Sequence, residues 1–125
     1  KQILSDLEYY EPRMSANGPA MGAAILSTLY NQLGDTEKAA KIFSNSYKLN
    51  EVPPFGVIAE TAGGTNPYFA TGAGGMLQAV LSGFGGLRIT DKGIIQTEVN
   101  IPSDWGKLII TGVGVGKENY EVEGN

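Results

Sequence analysis

Apolar residues recur at helical spacing in the first part of the chain, where they are bounded by helix start and stop signals. Positions i, i+3, i+4 and i+7 are held by Leu26, Leu29, Tyr30 and Leu33. Pro19 stands at a first-turn position before them and Gly34 follows them. We therefore predict an amphipathic helix between Pro19 and Gly34.

A second helix is predicted immediately afterwards, because Asp35 can cap it with a side-chain oxygen. One face of this helix is marked by Ala39, Phe43, Ser46 and Tyr47. Since only "GD" joins the two segments, they should form an antiparallel α-hairpin.

A loop and a glycine-rich third helix follow. The loop is predicted from Leu49 to Pro67, since Pro53 and Pro54 disfavour helix and the pair at 63–64 permits positive φ. The helix is predicted from about Thr71 to Ser82, although each glycine weakens it by about 1 kcal/mol relative to alanine. These glycines predict close approach by a neighbouring helix or by a ligand, and they are Gly72, Gly74 and Gly75.

From Leu87 the pattern becomes extended. Clusters of β-branched residues occur in "LRIT", "GIIQTEVNI" and "KLIITGVGV", and "DKG" and "PSDWG" supply turn residues between them. We predict three or four short strands, the last being "NYEVEG", that form a small antiparallel layer and either lean on the helices or complete a larger sheet. The chain is therefore predicted to be α+β, with its change of structure near Gly86.

Composition excludes several classes of function. The charge is -4, with nine basic and thirteen acidic residues and no block of one sign, so neither nucleic acid nor a membrane is an expected partner. No apolar run could span a bilayer, and the first residues lack the pattern of a signal peptide, so the chain as given is expected to be soluble. Cysteine and histidine are absent, which excludes disulfides, thiolate or imidazole zinc sites and every Ser-His or Cys-His relay within the chain. Carboxylates are then the first candidates for acid or base catalysis, and no metal or cofactor is predicted.

Two glycine motifs fail as nucleotide-binding sites. At "GVGVGKE" (112–118), a phosphate loop would need glycine at the preceding position, which is Thr111, and a hydroxyl residue at the last position, which is Glu118. "GAGGML" has Leu77 in place of the last glycine of a dinucleotide fingerprint.

Glu60 is the strongest single candidate for chemistry. It lies between the apolar "FGVIA" and an uncharged loop, with no basic residue within five positions on either side. It is either a structural carboxylate that binds loop or helix N–H groups, or a catalytic base.

Other polar and aromatic residues have simpler interpretations. The cluster Tyr9, Tyr10, Glu11 and Arg13 is best explained as a buried aromatic pair beside a surface ion pair. Trp105 is expected to anchor the strand layer rather than to bind sugar. A solvated helix face is expected for Glu37, Lys38 and Lys41.

Taken together, several motifs resemble the C-terminal end of glycoside hydrolase family 65, which includes kojibiose, maltose and trehalose phosphorylases and related α-glucoside hydrolases. The resemblance is carried, in order, by "YYEPR", "GPAM", "LGDTEKA", "PPFGVIAETAGGTNPYFATGAGGMLQAVLSGFGGL" and "IPSDWGKLIITGV". It implies that residues 1–86 are the last helices of an α/α six-hairpin barrel and that residues 87–125 are a small C-terminal β domain.

The resemblance also implies an inverting attack on an α-glucoside. In the family a Glu acid protonates the leaving oxygen while phosphate or an activated water attacks from the other face. No segment here matches the region of that acid, so neither Glu11 nor Glu51 is assigned to it, and the isolated chain is expected to be inactive.

The nucleophile is expected to be water. Phosphorylases of the family hold their anion with hydroxyls, backbone N–H groups and a histidine, whereas this chain has no histidine and carries Glu60 in the loop. A second anion there would be repelled by several kcal/mol at an effective dielectric near 20. Glu60 is thus the hypothetical general base. The residues expected to shape the sugar site with it are Thr61, Gly63, Gly64, Thr65, Tyr10 and Glu11.

Alternatives stay open at this point. The chain could be a non-catalytic carbohydrate-binding or scaffold module, a helical interaction domain, or part of a disaccharide phosphorylase. Exposed helix faces would favour homo-oligomers. The compartment is undetermined, and a periplasmic or secreted location would require a signal peptide in the full-length chain.

Overall fold

Over the described residues the fold is α+β: three α-helices, a short strand pair and a fourth α-helix precede two further antiparallel strand pairs. A computed structural model describes residues 1–124. The α-helices are α1 (Gln2–Tyr10), α2 (Ala20–Gln32), α3 (Thr36–Ser44) and α4 (Ala70–Gln78). The strands are β1 (Glu51–Val52), β2 (Val57–Ile58), β3 (Leu87–Thr90), β4 (Gly93–Gln96), β5 (Lys107–Val113) and β6 (Glu118–Glu123).

The predicted α-hairpin is confirmed as α2 and α3. Pro19 is the N-cap of α2, and Gly34 has φ of +86°, a conformation that glycine adopts without steric cost. The Asp35 side chain accepts a hydrogen bond from the backbone N–H of Lys38, as expected of an N-cap. The helices are also joined by the buried Ser27, whose hydroxyl donates to the Ala39 carbonyl at 2.9 Å.

Helix α4 begins one residue earlier than predicted and ends differently. After Gln78 the chain continues as a π-helix over Ala79–Phe84. Two of its glycines pack closely against α2, as predicted. An added Cβ at Gly72 would lie 3.3 Å from the Ala20 Cβ, and one at Gly75 would lie 3.3 Å from the Ala24 Cβ. Gly74 faces open space, so close helix packing explains two of the three glycines.

Two elements were not predicted. Helix α1 lies before the periodic segment, and only its Leu7 is buried. The β1–β2 pair interrupts the predicted loop, with Val52 opposite Val57 on either side of the double-proline turn. Strands β1 and β2 have two residues each, too few to display a period, whereas Ile3, Leu7 and Tyr10 of α1 do have the helical spacing i, i+4 and i+7.

The strand layer consists of two antiparallel hairpins. In the first hairpin, between β3 and β4, Leu87 lies opposite Gln96 and Thr90 lies opposite Gly93. In the second, β5 pairs with β6, and the register shifts after Ile110. Of the predicted strand "GIIQTEVNI", only Gly93–Gln96 forms β4; the Thr97 N–H and hydroxyl donate to the Gly86 carbonyl one position beyond the last pair, and Ile101 forms an isolated bridge with Gly124.

One core joins helices and strands, as predicted. The ring centroid of Trp105 lies 4.7 Å from that of Phe84 and 6.2 Å from that of Phe43. Trp105 therefore anchors the strand layer to the helices. The buried cluster contains Leu7, Tyr30, Ala39, Phe84, Ile101 and Val122. The described residues do not close a barrel on their own. None of their helices has both the length and the apolar character needed to cross a bilayer.

Candidate functional site

The Glu60 loop, which we define as residues 59–68, lies mostly at the surface, and backbone hydrogen bonds fix its two ends. At its start the Ala59 N–H donates to the Asn50 carbonyl at 2.8 Å, and just after its end the Phe69 N–H donates to the Ile58 carbonyl at 2.8 Å. Loops with such adjoining ends are frequently functional.

Asn50 holds the first residues of this loop through its side chain as well. It is only 2% exposed, and its Nδ2 donates to the Ala59 carbonyl at 3.2 Å and to the Glu60 carbonyl at 3.1 Å. Ala59 is fully buried between these contacts. The backbone at Glu60 is therefore anchored to the protein interior.

The Glu60 side chain has the opposite environment. It is exposed, and within residues 1–124 no hydrogen bond or ion pair involves its carboxylate. A structural carboxylate would be expected to accept hydrogen bonds from loop or helix N–H groups. An anchored backbone with a free carboxylate is instead an arrangement that leaves both oxygens available to water or substrate.

The other predicted loop residues lie beside Glu60 and form a tight turn. The Gly64 N–H donates to the Thr61 carbonyl at 2.9 Å. Gly63 has φ of +69°, which favours glycine, whereas Gly64 lies outside the left-handed region. An added Cβ at Gly64 would nevertheless lie 2.9 Å from the Thr61 carbonyl oxygen. Thr61 and Thr65 are exposed and could bind hydroxyl groups.

Tyr9 and Tyr10 are not the buried pair that the sequence favoured. They are 55% and 61% exposed, and their rings meet edge to face at 5.0 Å. The Arg13 guanidinium lies 3.9 Å from the Tyr9 ring centroid. They occupy the end of α1, where the side chains have few partners within this chain.

Lys38 is not part of a solvated face. Its Nζ lies 3.0 Å from the Glu11 Oε2 and donates to the Tyr30 hydroxyl at 2.7 Å, while Tyr30 also donates to Glu11. Lys41 and Glu37, on the same helix, are exposed as predicted. The prediction for Lys38 was wrong because Glu11, its partner, is distant in sequence.

This network shifts the pKa of each member. Burial raises the pKa of Glu11, but hydrogen bonds from Tyr30 and Lys38 and the Lys38 charge outweigh it and lower the pKa below 4.5. Burial and the bond to Glu11 raise the pKa of Tyr30. The bond to Tyr30, followed by that to Glu11, raises the pKa of Lys38. Glu11 is thus held as an anion and has no proton to give near neutral pH.

Tyr10 and Glu11 line different cavities. Tyr10 borders an apolar groove of about 350 Å³ between α1 and α2, with Leu7, Ile25 and Leu29 among its walls. Glu11 borders a cavity of about 200 Å³ that also touches Asn50. Glu60 lines neither cavity. Tyr10 and Glu11 thus have different neighbours, and neither shares a cavity with Glu60.

Asn50 is the residue of this site that the sequence did not predict. An asparagine in a turn commonly bonds to its local backbone, whereas the bond from Asn50 to Glu60 depends on the β1–β2 turn between them. Among the described residues, no group of three or more acidic side chains could hold a metal ion.

Relatives were found among curated proteins, although no protein-family profile matches the chain. The chain is 54% identical over 123 residues to a kojibiose hydrolase of Mucilaginibacter mallensis, covering 98% of this chain and 18% of the relative. It is 49% identical over 122 residues to a kojibiose hydrolase of Flavobacterium johnsoniae, covering 96% and 18%. It is also 37% identical over 110 residues to a protein-glucosylgalactosylhydroxylysine glucosidase of Gallus gallus, covering 87% and 15%.

The matches to the two kojibiose hydrolases extend over 98% and 96% of this chain, and so over the stretch from "YYEPR" to "IPSDWGKLIITGV" that carries the resemblance. The chain spans less than one-fifth of the length of either kojibiose hydrolase, at 18%. That extent is consistent with the predicted C-terminal portion of such an enzyme. The chain belongs to glycoside hydrolase family 65.

Proposed function

We propose that this chain is part of an inverting α-glucoside hydrolase that acts on a gluco-disaccharide or oligosaccharide, with Glu60 as the general base. The single observation that carries the proposal is the exposed, unpartnered Glu60 carboxylate on a backbone anchored by buried Asn50. The names of the two relatives above, both kojibiose hydrolases, support the substrate class.

In this mechanism a Glu60 oxygen accepts a proton from water as the water oxygen attacks the anomeric carbon. The bond to the leaving oxygen breaks, and a general acid outside this chain protonates that oxygen. Inverting enzymes keep the two carboxyl groups about 6.5–9.5 Å apart so that the water fits between base and sugar. Thr61 and Thr65 can bind sugar hydroxyls, and Gly63 can offer a backbone N–H donor, whereas the Gly64 N–H closes the turn to Thr61.

Water is favoured over phosphate as the nucleophile. An anion about 4 Å from Glu60 would be repelled by about 4 kcal/mol at an effective dielectric of 20. The chain offers no histidine to offset this repulsion, and Lys38 is already paired with Glu11.

We also propose that residues 1–86 complete an α/α barrel and that residues 87–125 form a β domain beside it. The apolar groove between α1 and α2 supports this arrangement, since its walls include Ile3 and Ile25, which are 39% and 55% exposed here. Further barrel helices would cover such a surface. Tyr10, at the rim of the groove, would then line the sugar site together with Glu11.

The test is Glu60→Gln in the full-length enzyme, with kojibiose and other α-glucobioses as substrates. We expect kcat to fall by about 10²–10⁴-fold, the range typical of a lost general base. Glu51→Gln is the matched control, because Glu51 is an exposed carboxylate on nearby β1. Near-normal turnover by Glu60→Gln would eliminate the base assignment.

Product analysis tests the rest of the proposal. The first glucose released by the wild type should be the β-anomer, and its yield should not depend on phosphate. Formation of glucose 1-phosphate would contradict hydrolysis, and initial α-glucose would contradict inversion. The isolated chain should show no turnover because the acid lies outside it.

A non-catalytic carbohydrate-binding module is the second candidate. It is favoured by two highly exposed aromatic side chains, Phe55 in the β1–β2 turn and Tyr68 at the end of the Glu60 loop, which are 85% and 79% exposed. Under this alternative, Phe55→Ala or Tyr68→Ala would weaken sugar binding, while Glu60→Gln would leave both binding and turnover intact.

A further inference from the structure

We propose that Asn50 is a positioning residue that holds the backbone of Glu60, so that the Glu60 carboxylate stays in place for proton abstraction. The inference rests on the proposed role of Glu60.

The contacts of Asn50 fix both peptide groups that flank the Glu60 Cα. Its Nδ2 donates to the Ala59 carbonyl, in the peptide before that Cα, and to the Glu60 carbonyl, in the peptide after it. With both planes held, φ and ψ of Glu60 have little freedom, and only the side-chain torsions remain to be set by substrate.

Burial makes these contacts firm. At 2% exposure the Asn50 amide has little access to competing water, so losing either acceptor would leave a buried donor unpaired. The amide does not serve its own turn, because its acceptors lie nine and ten residues further along the chain.

The second bond satisfies the remaining N–H of the buried amide and at the same time holds the backbone at Glu60. The β1–β2 hairpin is already extended by the backbone bond from Ala59 to Asn50 at 2.8 Å. The additional donor contact acts on Glu60, whose exposed carboxylate has no hydrogen bond or ion pair among residues 1–124. A displacement of about 1 Å at a catalytic group can lower the rate about 100-fold, so the contact is sufficient to control turnover.

The experiment is a double-mutant cycle in the full-length enzyme, with Asn50→Ala, Glu60→Gln and the combined variant. Asn50→Ala alone should lower kcat by about 10- to 100-fold and change KM by less than about threefold. In the Glu60→Gln background the same change should have no further effect on kcat, because the group through which Asn50 acts has been removed.

Asn31→Ala is the matched control. Asn31 is also a buried asparagine, 3% exposed, and its Nδ2 donates to a backbone carbonyl, that of Gly83, at 2.9 Å. It should lower the melting temperature and leave kcat unchanged. Asn50→Ser, which keeps one short donor, should recover part of the kcat lost in Asn50→Ala and serves as the folded variant should the alanine protein aggregate.

The outcomes separate the two proposals. Full activity of Glu60→Gln would overturn the proposed base and this inference together. A large loss in Glu60→Gln, with an Asn50→Ala effect that is additive to it or confined to melting temperature, would overturn the positioning role alone. Equal kcat for Asn50→Ser and Asn50→Ala in folded proteins would also contradict it.

Discussion

The Lys38 Nζ lies 3.0 Å from the Glu11 Oε2 and ties the segment after α1 to the start of α3. The pair is half-buried and shares the Tyr30 hydroxyl, which donates to Glu11 and accepts from Lys38. Because the three groups join parts of the chain that are far apart in sequence, they should contribute to stability in a pH-dependent way.

Glu11→Gln and Lys38→Met should each lower the free energy of unfolding by about 1 kcal/mol at neutral pH, and the two effects should not add. Urea unfolding measures this change. Lys41→Met, on the same helix but exposed, should change stability by less than about 0.5 kcal/mol. Additive losses would show that Glu11 and Lys38 act independently.

The same network predicts the pH limits of this contribution. The pKa of Glu11 is lowered, so its contribution is present above about pH 4.5 and is lost as pH falls through the lower folded-state value. The pKa values of Tyr30 and Lys38 are raised, so their contribution is present below about pH 10 and is lost as pH rises through the higher folded-state values. Unfolding curves of wild type and Glu11→Gln should therefore converge at low pH. A constant difference down to pH 2 would contradict this assignment.

Two glycines should respond to alanine with opposite signs. Gly74→Ala should stabilise this chain by about 0.5–1 kcal/mol, because it improves helix propensity and its Cβ would meet nothing within 4 Å. Gly86→Ala should destabilise it by at least about 1–3 kcal/mol, because φ is +68° and the Cβ would lie 2.5 Å from the Thr97 carbonyl oxygen.

Thermal unfolding of the two glycine variants checks these signs. Repeating Gly74→Ala in the full-length protein gives a further comparison. A gain in the isolated chain that becomes a loss in the longer protein would support coverage of α4 by additional helices.

Trp105→Ala should destabilise the protein by about 2 kcal/mol, somewhat less than the loss of a fully buried aromatic ring. The ring packs against Phe84 and Phe43 and is 37% exposed. Trp105→Phe should retain most of the stability. Unchanged unfolding in Trp105→Ala together with weaker sugar binding would instead favour a sugar platform.

The isolated chain should self-associate through its apolar groove and the neighbouring surface of α4. Ile25 and Leu77 are 55% and 57% exposed. Ile25 belongs to an apolar groove with Ile3 and Leu29, and contiguous exposed apolar surface favours association. Ile25→Lys and Leu77→Lys should shift the chain toward monomer in sedimentation experiments. Lys41→Glu, at an exposed position of α3, should not. A monomeric wild type would contradict this prediction.

Local patterns in the sequence were sufficient for α2, α3 and their turn, because period, Pro19, Gly34 and the Asp35 cap all act within a few residues. Turn residues and β-branched clusters likewise predicted the hairpins after Leu87. The absence of a basic residue within five positions singled out Glu60. These features depend on neighbours along the chain, so sequence alone could determine them.

Tertiary structure decided the remaining features. Lys38 pairs with Glu11 across 27 positions, and Asn50 reaches Glu60 across a turn that local propensity did not predict. Gly74 differs from Gly72 only in what lies opposite it. Each depends on which segments pack together, because hydrogen bonding and burial are properties of neighbours in space.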